Sequence, residues 1–116
     1  MILIYKFLTP DQWKIVNDGG EWVGAPIDVE DGFIHFCTCD QLSGTLAAHF
    51  AGHASLILAA VETDHLGEEL KWETSRNGAK FPHLYTILRK TNVLSTENIA
   101  LGTDEVHILP SKLKEK

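Results

Sequence analysis

The chain has 116 residues, of which 44% are hydrophobic and 22% are charged, and its formal net charge is −6. This length and composition predict one globular domain and exclude intrinsic disorder. With 10 basic against 16 acidic residues, non-specific nucleic-acid binding is disfavoured, because such binding depends on Lys and Arg contacts to phosphates.

The sequence also bears on where the protein works. Residues 1–5 are apolar, but Lys6 follows them in place of a small-residue cleavage site, which argues against a signal peptide. No apolar run approaches the roughly 20 residues of a membrane span. Cys37 and Cys39 are too few for an extracellular disulfide framework. We therefore expect a cytoplasmic protein with no membrane or nucleic-acid partner, and the sequence leaves its oligomeric state open.

The first elements along the chain are a strand and a helix. Residues 1–8 are apolar and partly β-branched, which predicts a strand. Thr9, Pro10 and Gln12 then match a capping box with proline at the first helical position. The helix that they begin is expected to end at the glycine pair that starts at Gly19.

A second strand and helix follow. Residues 22–27 contain a glycine and a proline, and predict a loop or a short extended segment. After an Asp-Gly turn, residues 33–37 predict a strand. Thr38 and Gln41 repeat the capping-box pattern and begin a helix that is expected to run to about residue 50.

Strand patterns dominate the second half of the chain. Residues 56–62 form an almost wholly apolar run, which predicts a central strand buried on both faces. Asn77-Gly78 predicts a turn, and Pro82 indicates a connector. The remaining predictions are strands at 69–74, 84–88 and 105–109, a connector at 80–83 and an extended piece near residue 93. Early helices and late strands indicate a single α+β domain over residues 1–110, followed by a disordered tail at 111–116.

His35 is a polar residue inside an apolar strand pattern. By the alternation of a strand, Phe33, His35 and Cys37 share one face, while Ile34 and Phe36 lie on the other. A buried polar group without a partner costs free energy. His35 is therefore either a core histidine bonded to the backbone or part of a pocket wall, and both interpretations stay open.

His35, Cys37 and Cys39 suggest a zinc site by residue type. However, same-face neighbours on a strand lie roughly 6.5–7 Å apart along the backbone, and no second cysteine pair follows. We therefore predict small buried side chains here and no metal. Thr38 is predicted to cap the following helix, and its functional alternative is a helix N-terminus that attracts phosphate or carboxylate.

Two further segments carry candidate site residues. Glu73 and Arg76 form either a surface ion pair or a functional pair, in which Glu73 holds a ribose or acts as a general base and Arg76 binds phosphate. Trp72 offers a stacking surface. His83 and Tyr85 fall on one face of an aromatic corner, and His83 could pair with His35 or Glu73 across the sheet. The other histidines, at 49, 53, 65 and 107, are predicted to be solvated.

These blocks, in order, resemble a bacterial family. The sequence Gly-Phe-Ile-His at 32–35, Trp-Glu at 72–73 and Phe-Pro-His-Leu-Tyr at 81–85, with Ile4-Tyr5-Lys6 before them, is similar to the domain-of-unknown-function family numbered 952. The resemblance covers about residues 2–94. The chain departs from the usual pattern at Phe36-Cys37 and at Cys39, which further weakens a metal interpretation.

The resemblance implies a fold similar to that of ADP-ribosyltransferases, with a mostly antiparallel split sheet and NAD in the cleft between two small sheets. By that analogy His35 contacts the NAD ribose, and Glu73, or Arg76 and His83, face the nicotinamide ribose or the phosphates. The chain carries no clear copy of either triad of such enzymes, because Tyr85 follows Glu73 instead of preceding it.

Two functions follow as hypotheses. In the first, the protein binds NAD, or a related nucleotide, as a substrate and cleaves a glycosidic bond as an ADP-ribosyltransferase-like or glycohydrolase-like enzyme, with Glu73 and His35 as catalytic residues. The expected ligand-binding residues are Thr38, Trp72, Arg76, His83 and Tyr85. In the second, the protein is a non-catalytic small-molecule or protein-binding domain, and the network of His, Glu and Arg is structural. Neither hypothesis specifies a cofactor, and NAD enters only as a substrate.

Overall fold

A computed structural model describes residues 2–75 and 78–110 of the chain. The predicted tail at 111–116, Arg76 and the Asn77 half of the predicted turn lie outside the described residues. The helices are α1 (Pro10–Gly19), α2 (Pro26–Asp31) and α3 (Leu42–His49). The strands are β1 (Leu3–Leu8), β2 (Glu21–Trp22), β3 (Ile34–His35), β4 (Ser55–Glu62), β5 (Leu70–Thr74), β6 (Lys80–Leu84), β7 (Leu88–Arg89) and β8 (Val93–Ala100).

The strands form two three-stranded sheets and one small pair. The first sheet has the order β1-β4-β8, the second has the order β3-β6-β5, and β2 pairs with β7. All of these strand pairs are antiparallel. The two larger sheets meet where Tyr5 and Cys37 exchange backbone hydrogen bonds of 2.8 and 2.9 Å. The molecule is thus a small α+β domain with mostly antiparallel sheets, as predicted.

The first sheet has a hydrophobic core on each of its faces. Ala59 and Val61 of β4 belong to one buried cluster, whereas Leu58 and Ala60 belong to the other. Helix α1 packs Val16 into the first cluster, and α3 packs Leu42 and Leu46 into the second. Strand β4 is therefore buried on both faces, as its apolar run predicted.

Helix α1 begins as its sequence predicts. The Thr9 hydroxyl accepts from Gln12 N–H at 3.1 Å, and the Gln12 side chain accepts from Thr9 N–H at 3.0 Å. Gly20 follows the helix at φ 78°, a conformation that glycine adopts without steric cost.

The prediction of a loop at residues 22–27 was wrong in its second half. Pro26 occupies the first turn of α2, so the described chain contains three α-helices where two were predicted. Asp28 lies at the third helical position and accepts from the N–H of Ala25 at 2.8 Å. A proline that begins a helix and one that interrupts a loop look alike in the sequence, which explains the error.

The strand assignments near the C-terminus also needed correction. Residues 80–83 belong to β6, residues 85–87 lie outside any strand, and the extended piece near residue 93 is the eight-residue β8. Residues 105–109 do not form a strand in the described structure and make one isolated bridge, from His107 to Leu101. Val106 and Ile108 are both largely exposed. Their apolar side chains therefore predicted a buried strand where none forms.

Pro82 lies inside β6, which is the middle strand of its sheet. Phe36 N–H donates to the Pro82 carbonyl at 3.0 Å, but proline has no N–H to return a bond to Phe36. The β3 ladder accordingly ends at His35. The proline is accommodated because its partner strand is short.

None of the described helices is long and apolar enough to cross a membrane.

Candidate functional site

A cavity of about 550 Å³ opens where β1, α2, β3, α3 and β6 come together. Small-molecule sites commonly enclose roughly 300–1,000 Å³. His35 from β3 and His83 from β6 both line this cavity, with Asp28 and Asp31 from α2 and Lys6 from β1. The cavity therefore joins polar side chains from both sheets and from the unpredicted helix.

His35 and His83 are direct cross-strand neighbours. They pair in the antiparallel register of β3 and β6, and their ring centroids lie 5.4 Å apart. The ring of Phe33 stacks on His83 at 4.2 Å and tilts against His35 at 4.6 Å. These contacts restrict both imidazoles, so the pair is held on one side of the sheet.

The carboxylate of Asp28 is completely buried, and every contact to it comes from a donor. Lys6 Nζ lies 3.0 Å from Oδ2, His35 Nδ1 lies 2.6 Å from Oδ1, and the N–H of Ala25 donates at 2.8 Å. The backbone N–H of His35 adds a fourth donor at 3.2 Å. A buried carboxylate is tolerated only when it is paired and hydrogen-bonded in this way.

The electrostatics of this group follow from the same contacts. Burial alone would raise the pKa of Asp28, but the hydrogen bond from His35 and the charge of Lys6 outweigh burial and hold that pKa at about 2. Burial lowers the pKa of Lys6, and the charge of Asp28 opposes that lowering in part. Asp28 is therefore the ionised centre that ties β1, α2 and β3 together.

His35 lies between two carboxylates. Its Nδ1 contacts Asp28, and its Nε2 lies 3.0 Å from Oδ2 of Asp31. The Asp31 side chain is 40% exposed, so it forms the outer edge of the site. Both ring nitrogens of His35 are thus engaged by α2.

His83 has a different arrangement. Its Nδ1 lies 2.8 Å from Oε1 of Glu73, and the Tyr85 hydroxyl donates to the same oxygen at 2.7 Å. The hydrogen bonds from Tyr85 and then from His83 lower the pKa of Glu73, and the bond to Glu73 raises the pKa of Tyr85. Glu73 is consequently an ionised acceptor placed behind His83.

The structure brings four of the predicted site residues together, namely His35, Glu73, His83 and Tyr85. It separates Trp72 from them. Trp72 pairs with Pro82, whereas Lys71 on the neighbouring position pairs with His83, and successive residues of a strand point to opposite faces. Trp72 therefore lies on the other face of β5, and the expected stacking surface is absent from this site. Arg76 lies outside the described residues.

Thr38 also departs from its predicted structural role. Its hydroxyl donates to Oδ1 of Asp40 at 2.7 Å and does not cap a helical N–H. The other hydrogen bond of the predicted capping box is present, because the Gln41 side chain accepts from the N–H of Thr38 at 2.9 Å. The residues that follow form a 3₁₀ turn at Cys39–Gln41, and α3 begins only at Leu42.

Sequence reasoning missed Lys6, Asp28 and Asp31. Lys6 is a buried lysine inside an otherwise apolar strand, which is a signal that could have been used. Asp28 and Asp31 were not recognised because α2 was not predicted.

His49 and His53 are exposed, as expected, but both also line the cavity. Cys37 is buried and Cys39 is half-buried against the same core cluster; within residues 2–75 and 78–110, no three potential ligands are arranged to hold a metal.

The fold and the site define a small α+β protein with a polar cleft between two antiparallel sheets. Residues 7–96 match a family described as protein of unknown function, DUF952. The match covers most of the chain, so the protein belongs to this family. No curated protein matches the chain.

Solved structures of protein CC0527 from Caulobacter crescentus are similar over nearly the whole chain. Its crystal structure is 43% identical, with a TM-score of 0.90 over 96% of this chain and 97% of that one. A crystal structure of a double mutant is 42% identical, with the same TM-score and coverage. The solution NMR structure is 44% identical, with a TM-score of 0.81 over 91% of each chain.

Proposed function

We propose that the cleft binds a nucleotide of the NAD class and that the protein is an enzyme which cleaves a glycosidic bond of that ligand. The observation that carries this proposal is the pair His35 and His83, two carboxylate-held imidazoles 5.4 Å apart on the wall of a cavity of about 550 Å³. Two ionisable side chains that each contact a carboxylate and line the same cavity favour a functional site over a purely structural one.

The chemistry of the wall supports a ligand with a planar base and a sugar. Aromatic rings of Phe7, Phe36 and Phe81 line the cavity alongside the polar groups, and flat rings stack favourably against aromatic side chains. Thr9 and Gln12 add neutral hydrogen-bonding groups. A ribose needs both donors and acceptors of this kind around its hydroxyls.

The choice of NAD within this class rests on the resemblance to the ADP-ribosyltransferase fold, in which NAD lies between two small sheets. The meeting of the β1-β4-β8 and β3-β6-β5 sheets at Tyr5 and Cys37 supports that part of the proposal. We place the protein in the cytoplasm as part of the same proposal, without a nucleic-acid or membrane partner.

Isothermal titration calorimetry with NAD, ADP-ribose and AMP tests the proposal. We expect saturable binding of NAD or ADP-ribose at submillimolar concentration, and loss of most of that binding in His35→Ala. His65→Ala is the matched control, because His65 is an exposed histidine that does not line the cavity. Absence of heat with all three ligands at millimolar concentration would contradict the proposal.

One observation favours the alternative, a binding domain in which the polar network is structural. Asp28 is inaccessible and joins three elements, so its main role is to hold the fold. His83 differs, because its partner Glu73 lies on the neighbouring strand of the same sheet and is 39% exposed. Replacement of His83 therefore distinguishes the two hypotheses. It would weaken ligand binding or turnover only if the cleft is functional.

A further inference from the structure

We infer that His83 is the general base of the cleft, held by Glu73 and Tyr85, and that the acceptor it activates is water, which makes the protein a nucleotide glycohydrolase. This inference rests on the proposed function. It assigns proton transfer to a residue that the sequence suggested only for ligand binding.

The first support is the tautomer that the contacts impose on His83. An ionised carboxylate can only accept hydrogen bonds, and Oε1 of Glu73 lies 2.8 Å from Nδ1. Nδ1 must therefore carry a proton. In the neutral ring, the lone pair is then on Nε2, which is the atom that can accept a proton.

The second support is access. His83 lines the cavity, whereas Glu73 and Tyr85 are not among the described residues of its wall. Among residues 2–75 and 78–110, none bonds to Nε2 of His83, and none of their buried polar side-chain atoms lacks a partner. We therefore infer that Nε2 is accessible from the cavity that His83 lines, on the far side of the ring from Glu73.

The third support is rigidity. Phe33 stacks on the imidazole at 4.2 Å, and the Tyr85 hydroxyl fixes the Glu73 oxygen that holds Nδ1. A nucleophile, a base and a group that orients the base form a recurring catalytic arrangement. Glu73 and Tyr85 are positioning residues in this arrangement, because they act through His83.

His35 cannot take the same role. Both of its ring nitrogens are engaged by carboxylates, Nδ1 by Asp28 and Nε2 by Asp31. It can orient a ligand or stabilise charge beside His83, but it has no open nitrogen to accept a proton. His83 is therefore assigned proton transfer, and His35 is assigned orientation of the ligand or stabilisation of charge.

The step proceeds as follows for a ligand with a cationic pyridinium base. The water oxygen bonds to the anomeric carbon of the ribose, and the bond from that carbon to the ring nitrogen breaks. The electron pair of the broken bond passes to the nitrogen, which becomes neutral. The proton of the water moves to Nε2 of His83, and the resulting imidazolium, stabilised by Glu73, releases it to solvent.

The experiment compares His83→Gln with His65→Gln in the full-length chain. Binding of ADP-ribose is measured by calorimetry, and hydrolysis of NAD is measured by the release of nicotinamide. We expect His83→Gln to bind ADP-ribose within a few-fold of wild type and to hydrolyse NAD about 100-fold more slowly or worse. His65→Gln should match wild type in both measurements.

The outcomes separate the two proposals. If the wild type binds neither ligand, the proposed function fails. If it binds NAD but does not hydrolyse it, or if His83→Gln hydrolyses NAD as fast as wild type, the assignment of the base is overturned while binding stands.

A second measurement does not depend on the ligand. Proton–nitrogen NMR of histidine-labelled protein reports which ring nitrogen of neutral His83 carries the proton. We expect the proton on Nδ1, and a mixture of both tautomers in Glu73→Gln. A wild-type His83 protonated on Nε2 would overturn the inference, whether or not a ligand binds.

Discussion

The Nδ1 atom of His35 lies 2.6 Å from Oδ1 of the buried Asp28, and this contact joins the strand that carries the candidate site to the short helix beside it. The same carboxylate binds Lys6 of β1 at 3.0 Å. One side chain thus fixes the positions of both sheets around the cleft. Stability and site geometry are therefore coupled through Asp28.

We expect Asp28→Asn to lower the free energy of unfolding by about 3–5 kcal/mol, because it leaves the buried charge of Lys6 without its counterion. Urea denaturation measures this loss. Asp18→Asn is the control, since Asp18 and Lys14 form a well-exposed pair on α1 and should change stability by less than about 1 kcal/mol. Equal losses in the two variants would contradict the central place of Asp28.

The same residue predicts an acid limb in the stability profile. The pKa of Asp28 falls from 3.8 to about 2 on folding, so the ionised form stabilises the folded state. That contribution is roughly 2 kcal/mol; it is fully present above pH 4 and is lost as the pH falls through 2. A carbon-13 titration of the Asp28 carboxyl should have its midpoint near 2. A midpoint of 4 or higher would show that the donors around Asp28 do not outweigh its burial.

Much of the fold could be predicted from local sequence. The Thr9 capping box and the buried run of β4 each depend on neighbouring residues or on one face of one element. The prediction that His83 and Tyr85 share one face likewise follows from local alternation, and both side chains contact Glu73 in the structure. Such features need no knowledge of distant contacts.

The centre of the site could not be predicted in this way. Lys6 and Asp28 are 22 positions apart, and their contact depends on tertiary packing. Pro82 indicated a connector because proline usually interrupts a central strand. In the structure β3 ends at His35, so no ladder hydrogen bond from the missing N–H of Pro82 is needed. The sequence identified residues of the site, whereas long-range packing decided which of them meet.

Gly24 supports Asp28 through its lack of a side chain. Its φ is +113°, and a Cβ atom there would lie 2.6 Å from Cβ of Asp28. We expect Gly24→Ala to cost clearly more than the roughly 1–2 kcal/mol of an unfavourable left-handed backbone. Gly52→Ala is the control, because Gly52 has φ +84° and open space around it. Thermal unfolding measures the stability of both variants. Equal losses of stability in Gly24→Ala and Gly52→Ala would argue against a close approach of Gly24 to Asp28.

Tyr85 is expected to control the ionisation of Glu73. Its hydrogen bond is the largest cause of the lowered pKa of Glu73, and the charge of Lys71 is the smallest of those that lower it. Tyr85→Phe should therefore raise the pKa of Glu73 more than Lys71→Gln does. NMR titration of the Glu73 carboxyl compares the two variants. A larger rise in Lys71→Gln would show that the hydroxyl does not hold this carboxylate.

The central claim is that the ligand occupies the cleft between the two sheets, and chemical-shift mapping with ADP-ribose tests it most directly. We expect the largest changes at the backbone amides of His35, Phe36 and His83, all of which line the cavity. The amide and indole of Trp72, on the opposite face of β5, should change little. Changes centred on Trp72, or no changes at millimolar ADP-ribose, would contradict the account.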